Sequence, residues 1–395
     1  MECISRVPKA QYLLLTSVYG LEPQASDTLN AIFPFPVYPI GPAIPYLELE
    51  HNSSITRTHI PNYLQWLDSH PASSVLYISL GSFLSVSGTQ MDEIAAGLRN
   101  SGVRFLWVAC GEASRLKESC GDLGLVVPWC DQLKVLCHSS VGGFWTHCGW
   151  NSTLEAIFAG VPMLTFPLFM DQVPISRRIV EDWKIGWRVK RSTVGSEMSV
   201  TKEEISELVQ RFMNLESGEG KELRERARGL KDICRQAIVE GGSSYTNLDA
   251  FLEAISENHD HWVVSSCRCV GGFFLMNKSN RYLFCLINIG VYNGKVRKDN
   301  GCALETPIPK DTAANILLQL YTRFTDFSKR NTSKAPTSIL DIIHNYTIRI
   351  KTGPIKKSVG SRSCPFLPQS TYQIPDPSPN SVPIALQKES RKQPP

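Results

Sequence analysis

The residues of this 395-residue chain that could do chemistry gather between Trp129 and Gln172. His147 follows a run of β-branched, aromatic and glycine residues, Val141 to Thr146. Cys148 and Gly149 come next, then Trp150, Asn151 and Ser152 at the start of a helical stretch, with Glu155 one turn further on. Asp171 and Gln172 close the segment. A strand, a tight glycine turn and a helix N-terminus together make an anion site, because free backbone N–H groups and the positive end of the helix dipole point at one spot.

Positioning those residues takes a regular succession of elements. The spacing predicts a short helix over Asp131–His138, a strand over Val141–Thr146, a turn at His147–Gly149, a helix over Trp150–Ala159 and an apolar strand over Val161–Phe166, with Asp171 and Gln172 just past its end. Ligands of open α/β sheets sit beyond the carboxyl ends of strands, and both turns here are at such ends. Upstream, Val75–Leu80 reads as a strand ended by Gly81 and Ser82. Thr89–Asn100 reads as an amphipathic helix with Met91, Ile94, Ala95 and Leu98 at helical spacing. Arg104–Ala109 and Gly124–Val127 read as strands. Downstream, helices are expected over Val173–Lys184, Thr201–Met213, Glu219–Val239 and Ser244–Ile255, and a strand over Ile185–Val189. Thr201 is the expected N-cap, with Glu204 completing a capping box. Strands alternating with helices imply an α/β fold with a doubly wound parallel sheet.

The flanks differ in character. Tyr12–Val18 is strand-like, Leu21–Ala31 is helical, Pro34–Pro45 is a Pro-rich extended connector, and Asn62–Asp68 is a short helix carrying Trp66. Beyond Ser256 the periodicity dissolves, although Thr312–Phe327 and Ile339–Asn345 could be helical. From Pro365 onward eight prolines fall in 31 residues, a composition expected to be disordered. The expected division is therefore residues 1–50, the end of one domain plus a linker; 51–256, the domain holding the candidate site; and 257–395, an irregular extension.

Composition narrows the class. Hydrophobic content of 42% and charged content of 20% are ordinary for a globular protein. Residues 1–256 carry 22 Lys and Arg against 28 Asp and Glu, a net −6. Residues 257–395 carry 19 against 9, a net +10, which together give the overall +4. The basic residues of the extension are dispersed without a recognised motif, so nucleic acid is not an expected partner. Twelve scattered cysteines without a C-x-x-C pair are expected to be reduced thiols. No signal peptide and no 18-residue apolar run is evident, so a cytoplasmic protein without a membrane span is expected. No G-x-G-x-x-G follows a predicted strand and no G-x-x-x-x-G-K occurs, which disfavours a dinucleotide-dependent oxidoreductase and a P-loop enzyme.

The stretch from Trp129 and Gln132 through His147-Cys148-Gly149-Trp150-Asn151-Ser152 and Glu155 to Asp171-Gln172 resembles, at full spacing, the signature box of plant UDP-dependent glycosyltransferases, a family-1 group with the GT-B fold. The resemblance implies a hexosyltransferase that moves a sugar, with glucose favoured by the closing Gln172, from a UDP-sugar to a hydroxyl of a small lipophilic acceptor such as a phenolic or flavonoid, with inversion. It implies that Trp129 stacks on uracil, that Gln132 and Glu155 bond the ribose hydroxyls, and that His147, Asn151 and Ser152 bond the phosphates. Gly149 would permit the tight turn, Trp150 would position the sugar chiefly through its backbone, with a core role as the rival reading, and Asp171 and Gln172 would grip the sugar hydroxyls. Ser82 is a further phosphate candidate. The UDP-sugar would be a co-substrate rather than a cofactor. No metal is expected, since charge on the leaving diphosphate can be met by fixed donors and no Asp-x-Asp triplet occurs. The family's catalytic base is a histidine near the start of the first domain. His51, His59 and His70 do not match its context, so the chain reads as N-terminally truncated, with no base to assign. The alternative is a non-catalytic nucleotide-sugar-binding module.

Overall fold

A computed structural model describes residues 10–44, 46, 49, 61–81, 86–109, 112–168, 171–189, 192–194, 197–256, 262–266, 273–277 and 282–287. In chain order its elements are β1 (Ala10–Leu15), α1 (Pro23–Ile32), β2 (Val37–Pro39), α2 (Asn62–Asp68), β3 (Val75–Ser79), α3 (Gly88–Ser101), β4 (Arg104–Val108), α4 (Ala113–Cys120), β5 (Gly124–Val127), α5 (Gln132–Leu136), β6 (Val141–Thr146), α6 (Trp150–Ala159), β7 (Met163–Thr165), α7 (Gln172–Arg177), β8 (Gly186–Arg188), β9 (Ser192–Val194), β10 (Glu197–Ser199), α8 (Lys202–Met213), α9 (Gly218–Ile238), α10 (Ser243–Ser256), β11 (Trp262–Ser266), β12 (Phe273–Asn277) and β13 (Tyr282–Ile287).

Six strands form one sheet in the order β5-β4-β3-β6-β7-β8, and each neighbouring pair is parallel. Counted within the sheet, that is the 3-2-1-4-5-6 order of a doubly wound fold, with its reversal between β3 and β6. Ser79 at the end of β3 is level with Thr146 at the end of β6, so the two loops leaving these strands start side by side.

Strand alternation explains why both faces are covered. Tyr77, Leu106, Phe144 and Met163 point into one core with Leu154, Ile157 and Ala227 of α6 and α9. Leu76, Ile78, Phe105, Trp107, Trp145 and Leu164 point into the other, with Ile94, Leu98, Ile205 and Phe212 of α3 and α8. Strands buried on both faces are accordingly near-continuous apolar runs. Ser87 caps α3 by accepting from Gln90 N, and Thr201 and Glu204 form the expected capping box on α8.

A second sheet runs β11-β12-β13-β1-β2, with β1 parallel to both β2 and β13. The Pro-rich stretch read as a connector therefore contains an edge strand, where proline costs least. The extension likewise holds three strands where no period was apparent. The helix expected over Val173–Lys184 is α7 followed by a π-helical turn, Arg178–Asp182. Helix α4 and the β9–β10 hairpin were not expected. The possible helices at Thr312–Phe327 and Ile339–Asn345, and the Pro-rich end, lie outside the described residues.

Helix α10 packs on the first two strands. Asn247 Nδ2 donates to the Pro39 carbonyl at 2.9 Å, and the Phe251 ring lies 5.7 Å from Tyr12 and 6.1 Å from Tyr38. Among the described residues, no helix is long and apolar enough to cross a membrane.

Candidate active site

The reversal point of the sheet is built by three loops, those after β3, β6 and β7. The loop after β6 turns sharply. Cys148 takes a left-handed φ of 68°, its N–H donates to Thr146 Oγ1 at 3.1 Å, and its side chain is fully buried. Gly149 then caps α6 with no side chain to accept from the first turn, so that turn's N–H groups face the strand ends.

His147 sits in a slot between two glycines. A Cβ at Gly149 would lie 2.5 Å from His147 Nε2, and one at Gly81 would lie 3.1 Å from Cδ2. Gly81 itself has φ +89°, a conformation glycine adopts readily. The Nδ1 atom of His147 is buried and makes no hydrogen bond among the described residues. Burial lowers the imidazole pKa, with the Ser79 backbone opposing, so the ring is held neutral.

Gln132, Ser152 and Glu155 form one hydrogen-bonded group although they come from two helices. Asp131 caps α5 by accepting from Lys134 N. That places Gln132 at the helix start, where Nε2 donates to Ser152 Oγ at 2.9 Å and to Glu155 Oε2 at 2.5 Å. Burial pushes the Glu155 carboxyl up to about 7, with the Gln132 bond opposing and Asp131 adding to the rise. Tyr77, which the sequence reading did not single out, joins from below: its hydroxyl donates to Gln132 Oε1 at 3.2 Å.

The remaining candidates divide. Trp129, on the loop after β5, is 71% exposed, with its ring offered to solvent. Asn151 and Ser152 lie half-buried in the first turn of α6. Asp171 is exposed and Gln172 buried, and Gln172 Oε1 accepts from Leu168 N at 2.8 Å, which shapes the loop after β7. Ser176 Oγ donates to Thr165 Oγ1 at 2.9 Å and ties α7 to β7. Trp150 is 3% exposed, 6.4 Å from the Trp183 ring, so its indole belongs to the core. Only its backbone can serve the helix N-terminus. Ser82 lies outside the described residues. Among the described residues, no group of three or more His, Cys, Asp and Glu could hold a metal ion.

Doubly wound order with an open helix start at the reversal point places this domain in the Rossmann-like α/β class. Residues 31–213 match the model of the UDP-glucoronosyl and UDP-glucosyl transferase family. UDP-glycosyltransferase 87A2 of Arabidopsis thaliana is 54% identical over 258 residues, which are 65% of this chain and 56% of that protein. Anthocyanidin 3-O-glucoside 5-O-glucosyltransferase of Verbena hybrida is 39% identical, over 62% of this chain and 55% of its own. Among solved structures, Phytolacca americana UGT2 complexed with UDP-2fluoro-glucose and pterostilbene is similar with a TM-score of 0.55 and 36% identity, covering 64% of this chain and 55% of that one. The chain spans about half the length of the curated relatives it matches.

Proposed function

We propose that residues 51–256 form a domain that binds a UDP-sugar at the β3–β6 reversal, as part of a transferase that moves glucose to a hydroxyl of a small lipophilic acceptor with inversion. The observation that carries this is the Gln132–Ser152–Glu155 group beside the His147 slot. It sets a paired hydroxyl acceptor next to an open helix N-terminus, the two halves of a nucleoside diphosphate site. Trp129 supplies the base platform, Asn151 and Ser152 the phosphate contacts, and Asp171 and Gln172 the sugar contacts. Ser82 would add a phosphate contact. Leaving-group charge is met by N–H donors and the helix dipole, with no metal. The acceptor class follows the relatives named above, one of which is named as a glucosyltransferase of an anthocyanidin 3-O-glucoside. A cytoplasmic setting suits those substrates.

A non-catalytic sugar-nucleotide module is the second reading, and one observation favours it. The other described histidines are engaged in local bonds: His70 Nδ1 pairs with the Trp66 carbonyl at 2.6 Å, and His138 bridges Ser140 and Asp68. Neither is placed as a general base, a role worth roughly 10²–10⁴-fold in rate. The test is to titrate the chain with UDP-glucose by calorimetry, then incubate both with a flavonol and measure glucoside by mass spectrometry. Binding with slow or no turnover is expected of these 395 residues alone. Absence of UDP-glucose binding overturns the donor-site reading.

A further inference from the structure

We propose that Tyr77 is a positioning residue of the ribose subsite: its buried hydroxyl fixes the Gln132 amide, and through it the Glu155 carboxylate that receives the ribose hydroxyls. The proposal rests on the donor-site reading above and assigns a role to a residue buried in β3, beneath the groups that face the ligand.

The bonding leaves one consistent arrangement. In the ionised form that ribose hydroxyls need, the Glu155 carboxylate only accepts, so the Gln132 atom facing Glu155 Oε2 is then the amide nitrogen, and its two hydrogens go to Glu155 and to Ser152 Oγ. The amide oxygen then needs a donor on its other side, and Tyr77 OH is there at 3.2 Å. Having given its single hydrogen to Gln132, the Tyr77 oxygen can accept from the Cys130 thiol, 3.4 Å away. Burial raises both the Tyr77 and Cys130 pKa values, so both groups keep their protons. The chain of donors therefore runs one way, from Cys130 through Tyr77 and Gln132 to Glu155.

Tyr77 is itself immobile. It is 1% exposed, lies in the middle of β3 and stacks on Phe144 with ring centroids 5.0 Å apart. A tyrosine among the apolar residues Val75, Leu76 and Ile78 of this strand buries a hydroxyl that phenylalanine would not. Its use is orientational: with the hydroxyl present, a rotated Gln132 would set its amide nitrogen against a donor and its oxygen against Glu155.

The test is Tyr77→Phe, which removes one oxygen and keeps the ring. Calorimetry with UDP and with 2′,3′-dideoxy-UDP gives a discrimination ratio for the ribose hydroxyls. In wild type that ratio is expected to be large. In Tyr77→Phe it is expected to fall about three- to tenfold through weaker UDP binding alone, dideoxy-UDP affinity being unchanged. In a Gln132→Ala background the added Tyr77→Phe change should alter the ratio no further. An unchanged ratio in a folded Tyr77→Phe protein, or equal loss for both nucleotides, overturns the proposal. Should Tyr77→Phe melt early, the same calorimetry run well below its melting temperature, with folding checked by circular dichroism, gives the same readout. Wild type that binds neither nucleotide overturns the donor-site reading itself, and the proposal with it.

Discussion

The imidazole of His147 rests against the α-carbon of Gly149 so closely that a single methyl there would lie 2.5 Å from Nε2. Gly149 has φ −62°, a value any residue adopts, so the demand for glycine is steric rather than conformational. Gly149→Ala should therefore cost less than about 1 kcal/mol of stability, because the flexible imidazole can swing away. The displaced ring should weaken UDP-glucose binding by roughly 1–3 kcal/mol through one lost charge-assisted hydrogen bond. Calorimetry beside thermal melting checks the split. Gly81→Ala should show the reverse emphasis, losing at least about 1 kcal/mol of stability, since its φ of +89° disfavours a side chain.

Trp129→Ala should leave the melting temperature within experimental scatter, because the ring is 71% exposed. UDP affinity should fall by roughly 1–3 kcal/mol, the scale of base–aromatic stacking. Unchanged affinity by calorimetry would remove the stacking assignment.

Trp150→Phe should do the opposite. The indole is buried against Trp183, so the variant should lose roughly 1–3 kcal/mol of stability in denaturant melts. Its affinity for UDP-glucose should change little once the protein is folded, since the ligand would meet only the backbone.

Glu155 gives two pH trends of opposite sign. Its carboxyl is raised from an ordinary 4.5 to about 7. The folded state then holds the proton more tightly than the unfolded chain between those values. Its contribution to stability is fully present below about 4.5 and is lost as pH rises toward 7. Ribose hydroxyls need the ionised acceptor, so UDP-glucose affinity should instead increase as pH rises through about 7. His147, with a lowered pKa, gains charge only on the acid side and would act in the other direction there. Calorimetry across pH 5.5 to 8.5, repeated on Glu155→Gln, tests this: the variant should lose the step.

The strand–turn–helix core of the site was legible because its signals are local. Val141–Thr146 and Trp150–Ala159 have the bounds their residue types imply, and the Thr201–Glu204 capping box joins residues three apart. What escaped depends on partners distant in the chain. Tyr77 meets Gln132 across 55 residues, and Gly81 meets His147 across 66, so neither role is visible in its own segment. Trp150 could be weighed as core or ligand but not decided, because the ring that covers it, Trp183, comes from another element. Helix α4 lacked a readable period: of its described side chains only Leu116 and Cys120, one turn apart, are buried. The edge strand β2 was hidden by its prolines, which an edge position tolerates.

The bond from Asn247 to Pro39 spans 208 residues. Translation at about 5–20 residues per second puts roughly 10–40 s between the synthesis of those two partners. For that interval Tyr12 and Tyr38 stand on a nascent β1–β2 pair whose covering helix has not yet been made. Contacts of such separation also close late in refolding, since their loop entropy comes before their reward. The aromatic face of this small sheet is thus open to chaperone capture and to misassociation while the chain is being made.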